Sequence, residues 1–419
     1  MLRQFPHPFR AALTICSDID GTDTVEKFLA IQSFLNTERD TDMGPGIGLE
    51  IGNSFFPLIH NDTFSYLSSR PTDRAVIRDL IKAGYIDCMH SYGYGVNSRR
   101  QVIRVLDALE QDGCKIPVWV NHSGAETNLG PDPSPGLGDV VGSPAYHADI
   151  TLAHGVRFAW MGRGTNLVGQ EAPITVRALA RIYDPAHRRP TAQDTLREIL
   201  KIALAKAGSR RYAIHRHNRL IELAHLRDGR PVYEFNRCHN HWNKPRPDST
   251  RLPYMLRPEV LQALKAVQGY MIAYTHLGMN THSRPYFSPP VQAALRRLAE
   301  EYRAGEIYVT TTSRLLTMCL TQRLLDWSCQ PVSEHGVKIT IHRINDRLSG
   351  PRLPTLDELQ GIAFYVPDRR QASIFLGDKE ITRVERNPRD HTGRESVMIA
   401  RTFLTYPLSS DLKDGVNLS

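Results

Sequence analysis

From the N-terminus to about residue 327, short apolar runs alternate with segments whose apolar positions recur every three or four residues. The runs at 12–17, 48–52, 86–90, 118–122, 157–161, 232–235, 271–275 and 307–310 have the length and apolar character of buried strands. The periodic segments at 25–35, 74–83, 99–111, 195–207, 258–267 and 290–304 predict amphipathic helices. Val102, Val105, Leu106 and Leu109 form one such stripe. Alternation over seven or eight units points to a parallel barrel or a doubly wound sheet. The expected fold is α/β: a (β/α) barrel of seven or eight strands, related to the TIM barrel, over residues 1–328.

Two segments break the rhythm. Residues 123–146 are rich in Gly, Pro and Ser and predict a long functional loop. Residues 220–226 and 231–235 flank Arg-Asp-Gly-Arg and predict a hairpin, followed by a polar stretch at 236–249. Beyond residue 330 the pattern changes to short alternating strands at 337–342, 361–366, 372–376 and 396–402. That change predicts a small β-rich C-terminal accessory domain over 329–419.

Four apolar runs end on residues that carry chemistry. The first leads into Asp18-Ile19-Asp20-Gly21, the third ends on His90-Ser91, the fourth on His122-Ser123 and the seventh on His276-Leu277. In a parallel barrel the C-terminal strand ends converge on one face, where such folds build active sites. Carboxylate plus imidazole donors suit zinc or another divalent first-row ion, and three protein ligands leave a position for water. A second carboxylate can take the proton of that water, and a histidine across the site can protonate a leaving amine. Asp18 and Asp20 can divide the ligand and base roles between them. Asn121, Glu126 and Asn128 flank His122 and are candidates to orient substrate hydroxyls. Arg237, His239 and His241 follow another strand and suit a substrate carboxylate or phosphate, while Trp242 can stack on a sugar ring.

Charge and cysteine content narrow the class. The 419-residue chain has a formal charge of +8, yet its basic residues accompany no nucleic-acid motif, so a mild preference for anionic substrates or membrane-proximal work is the expectation. The six cysteines are scattered, as buried free thiols rather than a disulfide frame. No apolar stretch approaches the roughly 20 residues that cross a bilayer. The N-terminal apolar run is too short for a signal peptide, which sets the expectation of a cytoplasmic protein. The oligomeric state is not legible.

Ser17-Asp18-Ile19-Asp20-Gly21 after the first strand, His90-Ser91 after the third and Tyr274-Thr275-His276 near the end resemble the NodB-type polysaccharide deacetylases. The resemblance covers roughly residues 10–325, carried by three short motifs. It implies Asp18 as base, Asp20 and His90 as metal ligands and His276 as the acid that protonates the leaving group. The family's second motif, His-Ser/Thr-x-x-His, appears as His90-Ser91-Tyr92-Gly93-Tyr94, so Tyr94 replaces a ligand and His122 is the best-placed substitute. The implied activity is removal of an N-acyl, acetyl-type group from a sugar, with Zn²⁺ as the metal. The expected substrate is an N-acylated sugar, nucleotide sugar or lipid-linked glycan of surface-polysaccharide synthesis.

Two other readings use the same residues. Asp18-Ile19-Asp20-Gly21-Thr22 also resembles the D-x-D-G-T start of haloacid-dehalogenase-like phosphatases, which use Mg²⁺. The later acidic motif is missing, because Gly377-Asp378 lacks a second Asp. A catalytically inactive, carbohydrate-binding barrel is the third reading, suggested by Tyr94.

Overall fold

The computed structural model describes residues 1–59, 64–131, 135–239 and 247–407. Its main sheet has eleven strands: β1 (Ala11–Ser17), β2 (Asn53–Phe55), β3 (Ile86–His90), β4 (Val118–Val120), β5 (Phe158–Trp160), β6 (Gly164–Thr165), β7 (Ile221–His225), β8 (Pro231–Phe235), β9 (Arg237–Cys238), β10 (Tyr270–Thr275) and β11 (Ile307–Val309). The path runs β7-β8-β5-β4-β3-β2-β1-β10-β9-β6, with β11 also paired to β1. All neighbours are parallel except the hairpin β7–β8.

The expectation of a closed barrel of seven or eight strands is therefore corrected. The sheet curls into a half-barrel of mostly parallel strands and does not close. Its path ends on the antiparallel strand β7 and on the two-residue β6, so no uniform ring of βα units exists. One face of the sheet carries Ala12, Cys16, Cys88, Val118, Phe158, Tyr233 and Ile272. These pack in one core with Leu315, Leu316, Met318, Cys319 and Leu320, which lie on the helix Thr312–Leu324. A helix, rather than a closing strand, supplies one wall of this core.

The opposite face is covered by helices. They are α1 (Val25–Asn36), α2 (Pro71–Lys82), α3 (Arg99–Gln111), α5 (Pro258–Val267) and α6 (Pro289–Arg303), while α4 (Arg188–Lys206) packs in a small separate cluster with Leu167 and Ile182 and α7 (Thr312–Leu324) lies on the first face. Helix α3 shows why the pattern was readable. Gln101 accepts the Ser98 backbone N–H at 3.2 Å, closing the first turn. The stripe Val102, Val105, Leu106 and Leu109 is buried with Val76, Ile77 and Leu80 of α2, worth on the order of 2 kcal/mol per side chain. The expected strand at 48–52 does not form. Ile47, Gly48 and Leu49 donate their backbone N–H groups to Phe34, Thr37 and Leu35 at the end of α1, so the ladder starts only at Asn53.

Beyond α7 the chain builds two small sheets. Leu325–Pro331, Val337–Asp346, Gly350–Arg352, Ala372–Leu376 and Lys379–Glu380 form one. The other joins Ala363–Val366, Val384–Asn387 and Glu395–Ile399 to the N-terminal strand Leu2–Arg3, with Leu2 opposite Phe364. Among the described residues no helix is long and apolar enough to cross a membrane.

Candidate metal centre

The sheet order sets the site. Strand β1 is central, flanked by β10 on one side and by β2 and then β3 on the other. The residues that follow these strands therefore meet at one end of the sheet. The Asp18 backbone extends the ladder by donating to Thr275 at 2.9 Å, and Ile19 donates to the Ser54 hydroxyl at 2.9 Å. Between them the β1 turn is fixed. Gly21 follows at φ +75°, and a Cβ there would stand 2.7 Å from Met279 Cα. Only glycine lets this turn lie against the turn after His276. Ser91, directly after His90, is held at φ +50°, the backbone strain that accompanies functional strand ends.

Asp20 is the centre of the cluster. Its Oδ2 lies 3.0 Å from His90 Nε2 and its Oδ1 2.9 Å from His122 Nε2. His276 Nε2 is 3.7 Å from Asp20 Oδ2, and Asp18 Oδ2 is 3.8 Å from His90 Nε2. The three donor atoms of Asp20, His90 and His122 all lie within 4.8 Å of one another. His276 is oriented from behind, its Nδ1 2.6 Å from the Pro247 carbonyl. Donation there leaves Nε2 facing the centre. His122 is fixed through its backbone, which donates to Asn128 Oδ1 at 2.9 Å. The Phe56 ring packs against both His90 and His122, and the exposed Tyr94 ring meets His122 edge-on at 4.3 Å.

Asp18 has a separate partner. Arg237 grips both its oxygens, Nη1 to Oδ2 at 3.0 Å and Nη2 to Oδ1 at 3.1 Å, with both side chains buried. The guanidinium lies against both Trp160 and Tyr274, at 4.1 and 4.7 Å from their ring centroids, and the two rings also touch each other at 5.4 Å. Burial disfavours the Asp18 charge, but Arg237, His90 and His276 outweigh it and hold the carboxyl below its ordinary range. Burial opposes the Asp20 charge too, and His90 and His122 overcome it in the same direction. Burial presses His90 down, yet Asp18 and Asp20 raise it above an ordinary histidine. For His122 burial wins over the Asp20 hydrogen bond, and its affinity for a proton falls.

The donor set fits a divalent ion. One carboxylate and two imidazoles are zinc-type ligands, and both rings aim Nε2 at the same carboxylate. Their Nδ1 atoms are buried with no hydrogen-bond partner in this structure.

The five residues expected at strand ends, Asp18, Asp20, His90, His122 and His276, are thus brought together. The expected substrate contacts are not gathered in the same way. Arg237 is turned inward onto Asp18. Asn121 accepts from Trp119 Nε1 and donates to the Leu129 carbonyl, each at 2.7 Å, and Asn128 ties both ends of His122, so these amides fasten the loop. Glu126 is exposed on that loop. His239 is half-buried with its ring 5.2 Å from Tyr274, and a Cβ on Gly164 would collide with it. His241 and Trp242 lie outside the described residues. Sequence reasoning did not reach Phe56, Trp160 or the Pro247 carbonyl, and it met Tyr274 only as part of the Tyr274-Thr275-His276 motif, not as a ring against Arg237. For Trp160 and Tyr274 the signal was available as inward positions next to strand ends.

No family profile and no curated protein matches the chain. Among solved structures, a GH57-type branching enzyme from the hyperthermophilic archaeon Pyrococcus horikoshii is similar at 10% identity and a TM-score of 0.34. The match covers 74% of this chain and 70% of that one.

Proposed function

We propose that the chain is a metal-dependent hydrolase removing an N-acyl, acetyl-type group from a sugar or glycan intermediate, in line with its resemblance to NodB-type deacetylases. The convergence of Asp20, His90 and His122 beside Asp18 and His276 carries the reading. Asp20, His90 and His122 would hold the ion, with Zn²⁺ the best match to these donors. When bound, such an ion polarises a carbonyl and lowers the pKa of water to about 7.

The chain's own residues supply the proton transfers. Arg237 keeps Asp18 ionised and fixes its orientation, so that Oδ2, the oxygen nearest His90, accepts a proton from the attacking water. As the water oxygen bonds to the acyl carbon and the C–N bond breaks, protonated His276 delivers its Nε2 proton to the departing amine. The products are the free amine and the carboxylic acid. Tyr94 and Phe56 border the imidazoles and limit access of bulk water. With its basic balance, the protein suits N-acylated sugars on phosphate-bearing carriers, nucleotide or lipid.

The phosphatase alternative uses Asp18 as nucleophile but gives no work to His90, His122 and His276, which gather around Asp20. That observation favours the deacetylase reading. The test combines metal analysis with turnover of N-acetylated sugars. One zinc-like ion per chain is expected, lost in His90→Ala and His122→Ala. Asp18→Asn and His276→Ala should keep the metal while turnover falls by about 10²–10⁴-fold. Wild-type rates in both of the latter, or no bound ion, would overturn the assignment.

A further inference from the structure

Helix α4 is built inside out. Its buried stripe is Thr191, Asp194, Glu198, Ile202 and Ala205, three of the five polar. Glu198 is fully buried, accepting from Thr165 Oγ1 at 2.8 Å and from the Asn166 N–H at 3.1 Å. Lys201 donates to the Gly164 carbonyl at 2.6 Å. Polar ties therefore hold the inner side of α4. The opposite side carries Leu196, Ile199, Leu200 and Leu204, spaced as one helical face, and Leu196, Leu200 and Ile199 are 67%, 56% and 45% exposed. The short helix Val176–Ala180 packs beside α4 and adds Val176, 85% exposed. A contiguous outward apolar face is exceptional on a soluble surface and marks a contact.

Charge identifies what covers it. Residues 175–217 contain ten Arg and Lys against three acidic residues, which accounts for most of the chain's +8. Arg177, Arg188, Arg189, Lys206 and Arg210 are exposed and have no acidic partner among the described residues. An apolar helix face flanked by cations matches an anionic bilayer surface, where leucines enter the acyl boundary and the cations meet headgroup phosphates. A second copy of the chain fits worse, because a two-fold contact centred on α4 sets these cations against themselves.

We propose that α4 and the helix beside it form a peripheral docking surface for membranes rich in anionic phospholipid. This surface is separate from the Asp20 cluster and stands whether or not that site hydrolyses acyl groups. Flotation of the full chain with phosphatidylglycerol vesicles tests it, with phosphatidylcholine vesicles as control. The protein should float with the anionic vesicles only, and added salt should weaken binding. L196Q/L200Q, at two exposed positions, should lower binding at least tenfold with an unchanged circular dichroism spectrum. R188Q/R189Q should lower it and flatten the salt dependence. Failure to float with anionic vesicles overturns the proposal, as does binding that L196Q/L200Q leaves unchanged. A dimer in sedimentation that L196Q/L200Q dissociates, without lipid binding, assigns the face to self-association instead and also overturns it.

Discussion

Asp18 and Arg237 are 219 positions apart and satisfy each other where water does not reach. Removing one partner leaves the other as an uncompensated buried charge. Arg237→Ala should cost about 3–5 kcal/mol in urea unfolding. D18N/R237M, which neutralises both, should recover much of that loss, and additive losses would show that the pair is not the unit of stability. The acid side follows from the same contact. Asp18 is held below its ordinary pKa, so its contribution is complete above the unfolded value of about 3.9 and is lost as pH falls through the folded one. Asp18→Asn should therefore flatten the stability profile below about pH 4.

At the scale of elements, α4 offers the sharpest case. Glu198 has its pKa lowered to about 2, since His215 and Lys201 together with its backbone donor outweigh burial. From the ordinary value of 4.5 this shift corresponds to roughly 3 kcal/mol. That stability is present above pH 4.5 and fades as pH falls toward 2. Glu198→Gln should remove this dependence and loosen α4, read as faster amide exchange along Arg188–Lys206; unchanged exchange would show that α4 is held by other contacts. Much of this scale was legible in the sequence. The strand Ile86–His90 and the helix Arg99–Gln111 have the bounds their periodicity predicts, because a local stripe and a local cap define them. The strand at 48–52 failed because a helix end took its backbone donors, a competition that no period records. The five strand-end residues were legible because strand ends of a parallel sheet converge. Arg237 was singled out as a substrate contact, and its place as the clamp on Asp18 was not legible, since nothing local links two strands so far apart. Closure of the sheet was illegible for the same reason: it depends on which edges meet, and α7 occupies the interior.

At the scale of the whole molecule, the segment around Arg3 is fastened to the C-terminal sheets. Arg3 is buried, donating to the carbonyls of Pro6, Pro8 and Phe9 at 2.7–3.0 Å and to Asp390 at 2.8 Å. Arg3→Ala strips donors from several carbonyls and leaves Asp390 with a weaker set of partners. We expect a loss of about 3–5 kcal/mol and faster proteolysis within Val384–Asn387 and Glu395–Ile399. Proteolysis at the wild-type rate would show that the C-terminal sheets stand without this tie.

That tie also imposes a timetable on biosynthesis. Leu2 pairs with Phe364, so at translation speeds of about 5–20 residues per second the strand waits roughly 20–70 s for its partner to be made. During that interval β1, only a few residues downstream, can already join β2 and then β10 as each is completed. On that schedule the sheet around Asp20 can pair before Leu2–Arg3 meets its partner strand. Slowing the ribosome between the codons for Val309 and Phe364 would prolong exposure of the Leu2–Arg3 edge while the strands around Asp20 are already available to pair.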